Sequence, residues 1–115
     1  MRAVVCSELG RVEAQALEIP EPGPGEVRVR MVAAGVCHTD LSVMKGNFDV
    51  PKPVVLGHEG SGHVDAVGPG VLGLAIGDPV VCSIVMPCND CPQCHRGSYS
   101  ICDRWFEVAF SGVMP

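Results

Sequence analysis

Apolar and polar residues alternate most sharply between Glu26 and Ala34, where Val27, Val29, Met31 and Ala33 fall on one side and Arg28 and Arg30 on the other. A period of two predicts a half-buried strand, because successive side chains leave opposite faces of the pleat. Arg2–Cys6 reads as an earlier short strand, and Val12–Ile19 continues it with looser alternation. The segment Pro20-Glu-Pro-Gly-Pro-Gly25 is a turn or stiff connector, since its three prolines lack the N–H groups a sheet needs. After Gly35 the period changes. Thr39 and Asp40 can cap a helix, Leu41–Lys45 supplies about two turns of it, and Gly46 ends it. Phe48–Leu56 predicts an extended loop entering a strand, and Gly60–Val67 a further strand closed by Gly68-Pro69-Gly70. A turn at Gly77-Asp78 launches Pro79–Val85, with proline tolerated at the strand's first position. Short strands parted by glycine turns predict a small antiparallel barrel or sandwich.

Composition narrows this picture. With 115 residues and 47% apolar content, the chain is one domain or part of one with enough apolar side chains for a core. A net charge of −5 and a pI near 5.2 argue against nucleic acid as a partner. The longest apolar stretches, Val71–Ile76 and Val80–Met86, fall far short of the ~20 residues of a membrane span. The N-terminal Met-Arg-Ala-Val-Val-Cys has no signal-peptide character, so the cytoplasm is the expected compartment. The terminal Ser111-Gly-Val-Met-Pro115 reads as neither a tail nor a cap, and a truncated fragment is expected.

Seven cysteines need an account, and their number is odd, which disfavours a disulfide framework. Cys88, Cys91, Cys94 and Cys102 form C-x2-C-x2-C-x7-C. Four thiolates on a short loop can enclose one Zn²⁺ tetrahedrally and leave no position for substrate, the mark of a structural site over residues 87–104. Arg96 and Arg104 could offset part of the charge. Cysteines serving as small apolar core residues fit poorly in a stretch rich in Pro, Asn, Asp and Gln. An iron–sulfur cluster is the sharper rival, but its motif places the fourth cysteine after three residues, where Ser98 stands, and a proline next, where Tyr99 stands. Spacing therefore favours zinc. His95 reads as a solvated loop residue, and Cys6 and Cys82 as core thiols in apolar strands.

Gly35-Val-Cys-His-Thr-Asp40 and Gly57-His-Glu-Gly60 are the other concentrations of chemical groups. Cys37 follows the sharpest strand and His58 lies near glycines at the end of an extended segment, two tight places that can expose a ligand at a sheet rim. A soft thiolate and an imidazole suit Zn²⁺, yet a catalytic zinc usually takes three protein ligands. The residues offer no evident third: His63 reads as a plain strand residue.

With these motifs, and with Gly60-Ser-Gly62, Val67-Gly68-Pro-Gly70-Val71 and Gly77-Asp78, the sequence resembles the zinc-containing medium-chain alcohol dehydrogenases along essentially all of its 115 residues. The resemblance implies a mainly β fold: a partly open GroES-like (chaperonin-10-like) barrel with a short helix and a four-cysteine zinc-binding lobe. It makes residues 1–115 the N-terminal part of the catalytic domain, with the Rossmann domain that binds NAD or NADP absent from the chain. By the same resemblance Cys37 and His58 are ligands of a catalytic zinc. Asp40 orients His58, Glu59 lies close behind the metal, and Thr39 receives the alcohol's proton. His38 matches a position touching the cofactor pyrophosphate. Phe48 and Ile84 match positions lining the substrate pocket, although each fits an ordinary core residue equally well. The family's third zinc ligand lies well beyond residue 115, and no G-x-G-x-x-G opens a helix here. Some members end the proton relay with a histidine three residues after the threonine, where this chain has Ser42. The expected partners are a small alcohol or aldehyde, with no nucleic acid and no membrane, and the full-length parent is expected to be a homo-oligomer. A fragment is expected to be inactive alone. The rival reading is a non-catalytic zinc-binding module, which leaves Cys37-His-Thr-Asp40 and Gly57-His-Glu-Gly60 without an account.

Overall fold

A computed structural model describes residues 1–110. Strands β1 (Arg2–Glu8), β2 (Arg11–Ala16) and β3 (Val27–Ala34) lead into helix α1 (His38–Lys45). They are followed by β4 (Val54–Val55), β5 (Gly60–Val67), β6 (Pro79–Val81), α2 (Pro92–His95), a 3₁₀ turn at Tyr99–Ile101 and α3 (Trp105–Phe110). The strands form two antiparallel three-stranded sheets, in the orders β2-β1-β4 and β3-β5-β6. Among the described residues the sheets stay open and do not close into one barrel. The expectation of a mainly β, partly open architecture with a short helix and a cysteine lobe is met.

The first sheet carries the apolar centre. Cys6 is fully buried and clusters with Val43 of α1, Val50 and Val54, and Phe48 and Leu56 pack against them. Val64 of β5 is the buried apolar side chain of the second sheet, at 1% exposure, beside the buried Gly60 and Gly62. The proline connector is tied down by polar contacts. Gly25 N–H donates to the Pro69 carbonyl at 2.9 Å, and Gly68 N–H donates to the Glu26 carbonyl at 2.9 Å. Arg28 bridges Glu21 at 2.9 Å and Asp65 at 2.8 Å, joining the connector to β5.

Several expectations are corrected here. The second strand stops at Ala16, short of Ile19. The strand launched at Pro79 has only three residues and ends at Val81; beyond it Val85 N–H donates to Ser83 Oγ at 3.1 Å, a local bond that turns the chain. β3 is half-buried only at its start, since Met31 and Val32 are 48% and 69% exposed. Two irregularities in its pairing with β5, at Arg28/Val29 and Met31/Ala33, reset the alternation. Cys82 is exposed at the edge of the second sheet, so it is not a core thiol. The terminal segment 111–115 lies outside the described residues.

Candidate metal centre and active-site cleft

The cysteine lobe is built by two short turns. Cys91 caps α2 with Pro92 in its first turn, where proline's fixed φ suits a helix start, and this carries Cys94 round to face Cys88. Asn89 takes φ 58°, a left-handed turn that asparagine tolerates. The 3₁₀ turn then returns Cys102 to the same point. The four sulfurs lie within 4.8 Å of one another. Cys88 and Cys94 are 3.9 Å apart, and Cys91 and Cys102 are 4.0 Å apart. A tetrahedron with Zn–S bonds of ~2.3 Å has sulfur–sulfur edges of ~3.8 Å, so the donor set fits such an ion.

Backbone N–H groups also point at the sulfurs. Asp90 and Cys91 donate to Cys88 at 3.5 and 3.3 Å, Cys94 to Cys91 at 3.5 Å, and Cys88 to Cys102 at 3.4 Å. N–H donation, the Cys94 backbone first, lowers the Cys91 thiol to about 6. Burial pushes the Cys94 thiol up to about 12. N–H donation thus favours a thiolate at Cys91, and burial opposes one at Cys94. Arg104 is held charged by Glu107 first and by attraction from Cys88 among others, whereas Arg96 bonds Gln93 at 2.7 Å. His95 is exposed at the end of α2 and is not among the clustered ligand atoms. Trp105 packs on the cysteines and donates its indole N–H to the Ile84 carbonyl at 3.0 Å, docking the lobe on the cleft wall.

The second site forms where β3 runs into α1 and the β4 segment turns into β5. Cys37, not Thr39 or Asp40, is the N-cap of α1. Asp40 instead occupies the third helical position and reaches back, accepting from Cys37 N–H through Oδ2 at 3.0 Å. Its other oxygen accepts from Gly57 N–H at 3.2 Å and faces His58 Nδ1 at 3.5 Å. Gly57 has φ 105°, which lets the chain fold back over this carboxylate. One half-buried side chain therefore fixes the helix start, the turn before His58 and the imidazole. Ligand atoms of Cys37, His58 and Glu59 lie within 4.8 Å of one another, so the donor set fits a divalent cation with an open side.

An open cleft of about 660 Å³ lies over these groups, lined among others by Thr39, Ser61, Val81, Cys82 and Ile84. Thr39 Oγ1 is 3.5 Å from Cys37 Sγ. His38 is exposed at the start of α1, its Nδ1 3.5 Å from Ser42 Oγ. Phe48 lies apart from the cleft-lining residues and packs against the core instead, the plainer of its two readings. Sequence reasoning missed Ser61, Val81 and Cys82, whose places depend on how far β5 and β6 pair. The signal for Trp105 was available, as a lone tryptophan just after the last cysteine of the lobe.

Asp40→Asn keeps the shape but leaves one oxygen for the N–H groups and imidazole that two oxygens now serve. Were zinc bound at the cleft, loss of such an orienting partner would lower its affinity about 10–100-fold, read in a zinc competition titration with the lobe unchanged.

Residues 23–114 match the alcohol dehydrogenase GroES-like domain model. The chain belongs to this family. It is 40% identical over 115 residues to the NDMA-dependent alcohol dehydrogenase of Amycolatopsis methanolica, covering 99% of the chain and 31% of that enzyme. It is 45% identical over 111 residues to the geraniol dehydrogenase of Castellaniella defragrans, covering 96% and 29%. Among solved structures, an alcohol dehydrogenase zinc-binding domain protein from Burkholderia ambifaria superposes with a TM-score of 0.90 at 43% identity, over 96% of the chain and 30% of that protein. The chain thus spans about a third of the length of these family members.

Proposed function

We propose that residues 1–115 are the N-terminal part of the catalytic domain of a zinc-dependent, NAD(P)-linked alcohol dehydrogenase, in which residues 87–104 hold a structural zinc and the cleft holds a catalytic one. The observation that carries this reading is the convergence of Cys37, His58 and Glu59 under an open cleft, beside a closed four-sulfur lobe, in one chain. When bound, the cleft zinc would polarise the oxygen of an alcohol or carbonyl compound, while nicotinamide would exchange the hydride.

The chain's own residues bind, orient and move a proton. Cys37 and His58 hold the metal. Asp40 keeps the imidazole turned so that its second nitrogen is free for that duty. Thr39, on the first turn of α1, presents its hydroxyl to the cleft and takes the alcohol's proton. As it takes that proton, Thr39 gives up its own hydroxyl proton to water in the open cleft, while Ser42 stands 3.5 Å from His38 Nδ1 on the exposed side of the helix and takes no part. Val81 and Ile84 give the cleft an apolar wall, which suits a substrate with a hydrocarbon portion. We assign His38, exposed at the N-terminal end of α1, to the anionic pyrophosphate of the cofactor.

We assign the nicotinamide cofactor to a further domain of a homo-oligomeric whole protein, and no turnover is expected from residues 1–115 by themselves. Cytoplasmic work is in keeping with seven free cysteines, and no described helix is long and apolar enough to cross a membrane. The test is metal content together with turnover of the intact protein. About two zinc ions per chain and NAD- or NADP-linked oxidation of a simple alcohol are expected. One zinc per chain with no turnover would leave only a zinc-stapled module.

A further inference from the structure

We infer that Gly35 is a positioning residue for the cleft: its missing side chain is the space in which the Glu59 carboxylate lies, and that space keeps the carboxylate beside Cys37 and His58. The inference rests on the metal-binding reading of the cleft and adds to it the residue that seats the carboxylate beside its two ligands.

A glycine at 35 is not required by backbone conformation. Gly46 and Gly57 adopt φ 78° and 105°, whereas Gly35 lies outside the positive-φ region. What distinguishes Gly35 is space. A Cβ placed there would collide with Glu59 Oε2 and would lie 3.1 Å from Glu59 Cβ and 3.4 Å from Cδ. All three nearest atoms belong to the side chain of Glu59.

The two backbones cannot separate to relieve such a collision. Gly35 N–H donates to the Glu59 carbonyl at 2.8 Å, and the neighbouring pairs Ala34↔Gly60 and Ala33↔Ser61 continue the β3–β5 ladder. The side chain must yield instead. Glu59 is exposed, so its carboxylate can swing outward at small cost to the fold. A methyl group at 35 therefore acts on the donor set and hardly on folding.

Position 35 is also two residues before Cys37, at the same bend. The strand end that presents the thiolate thus seats the carboxylate from the opposite strand. The Glu59 carboxylate is thereby brought to the Cys37 side of the cleft, while Gly57 and Asp40 turn His58 to it.

The experiment is a zinc competition titration of the intact protein with a chromophoric chelator, on wild type, Gly35→Ala, Glu59→Gln and the double variant. Gly35→Ala is expected to weaken the cleft zinc by about tenfold or more while the lobe zinc stays, and to add less than about threefold to Glu59→Gln. Wild-type affinity in Gly35→Ala, when Glu59→Gln is weakened, overturns the role of Gly35 and leaves the cleft reading standing. Full multiplication of the two effects also overturns it. A wild-type protein with zinc in the lobe alone brings down both. Should Gly35→Ala fail to fold, adding Glu59→Gly must restore folding, because it removes the three atoms the new Cβ meets; continued misfolding overturns the inference.

Discussion

Cys94→Ser is expected to weaken zinc binding in the cysteine lobe severely and to loosen residues 87–104. The exchange changes little in volume, so packing alone predicts a mild effect. The metal makes the effect large. Apparent zinc binding in small structural sites is about 10–16 kcal/mol, and an equal share for one ligand of four is ~2.5–4 kcal/mol. At ~1.4 kcal/mol per decade this is roughly a 100- to 1,000-fold loss of affinity. Cys94 and its partners Cys91 and Cys102 are the buried residues of the lobe. The lobe has no other apolar centre except Trp105 against its side, so on the proposed reading its order would depend on the ion. Elemental analysis and limited proteolysis between 87 and 104 would show it. His95→Ala is the control: the residue is exposed and should change neither readout. Wild-type zinc retention against a competing chelator and unchanged proteolysis in Cys94→Ser would show that the four sulfurs are not a metal site.

How much of this is legible in the sequence follows from the range of the forces involved. The strand Gly60–Val67 has the bounds its pattern predicts, because local alternation and bounding glycines define it without help from elsewhere. The lobe is legible for a similar reason, since spacing of two residues between cysteines brings the sulfurs together whatever surrounds them. The cap of α1 is not, because cysteine is not a favoured cap and Asp40 acts from the third helical position. Pro79–Val85 looks longer in the sequence than it is, and Cys82 looks buried, for a different cause. Apolar residues at a sheet edge resemble core residues in a sequence, and only pairing distinguishes them: β6 contacts β5 through just Val81, Val80 and Pro79. Phe48 and Ile84 carry two readings each, and they part here. Phe48 belongs to the core under α1, while Ile84 stands on the cleft wall with Trp105 bonded to its carbonyl. The seat of Glu59 at Gly35 is out of reach of sequence reasoning, because it is a tertiary contact across two strands.

The same contrast between local pattern and tertiary placement shapes the largest effect expected at the cleft. His58→Ala should lower kcat/KM of the intact protein by about a thousandfold or more. Lewis-acid activation supplies several kcal/mol to the transition state, and ~4 kcal/mol corresponds to a factor of about 10³. The loss would be catalytic and not structural. The His58 side chain is 24% exposed at the cleft and stands outside the core clusters, so its removal leaves their packing intact. The lobe zinc should remain, giving a variant with half the metal and the same secondary structure. His63→Ala is the matched comparison, five residues further along on β5, exposed and paired in register with Arg30 and Pro79. It should retain activity and both ions. Equal activity of His58→Ala and His63→Ala would mean that the cleft carries out no metal chemistry, and the convergence of Cys37, His58 and Glu59 would then need another account. A selective loss in His58→Ala, with Asp40→Asn between it and wild type, would order the residues by their distance from the metal: ligand, orienting carboxylate, bystander.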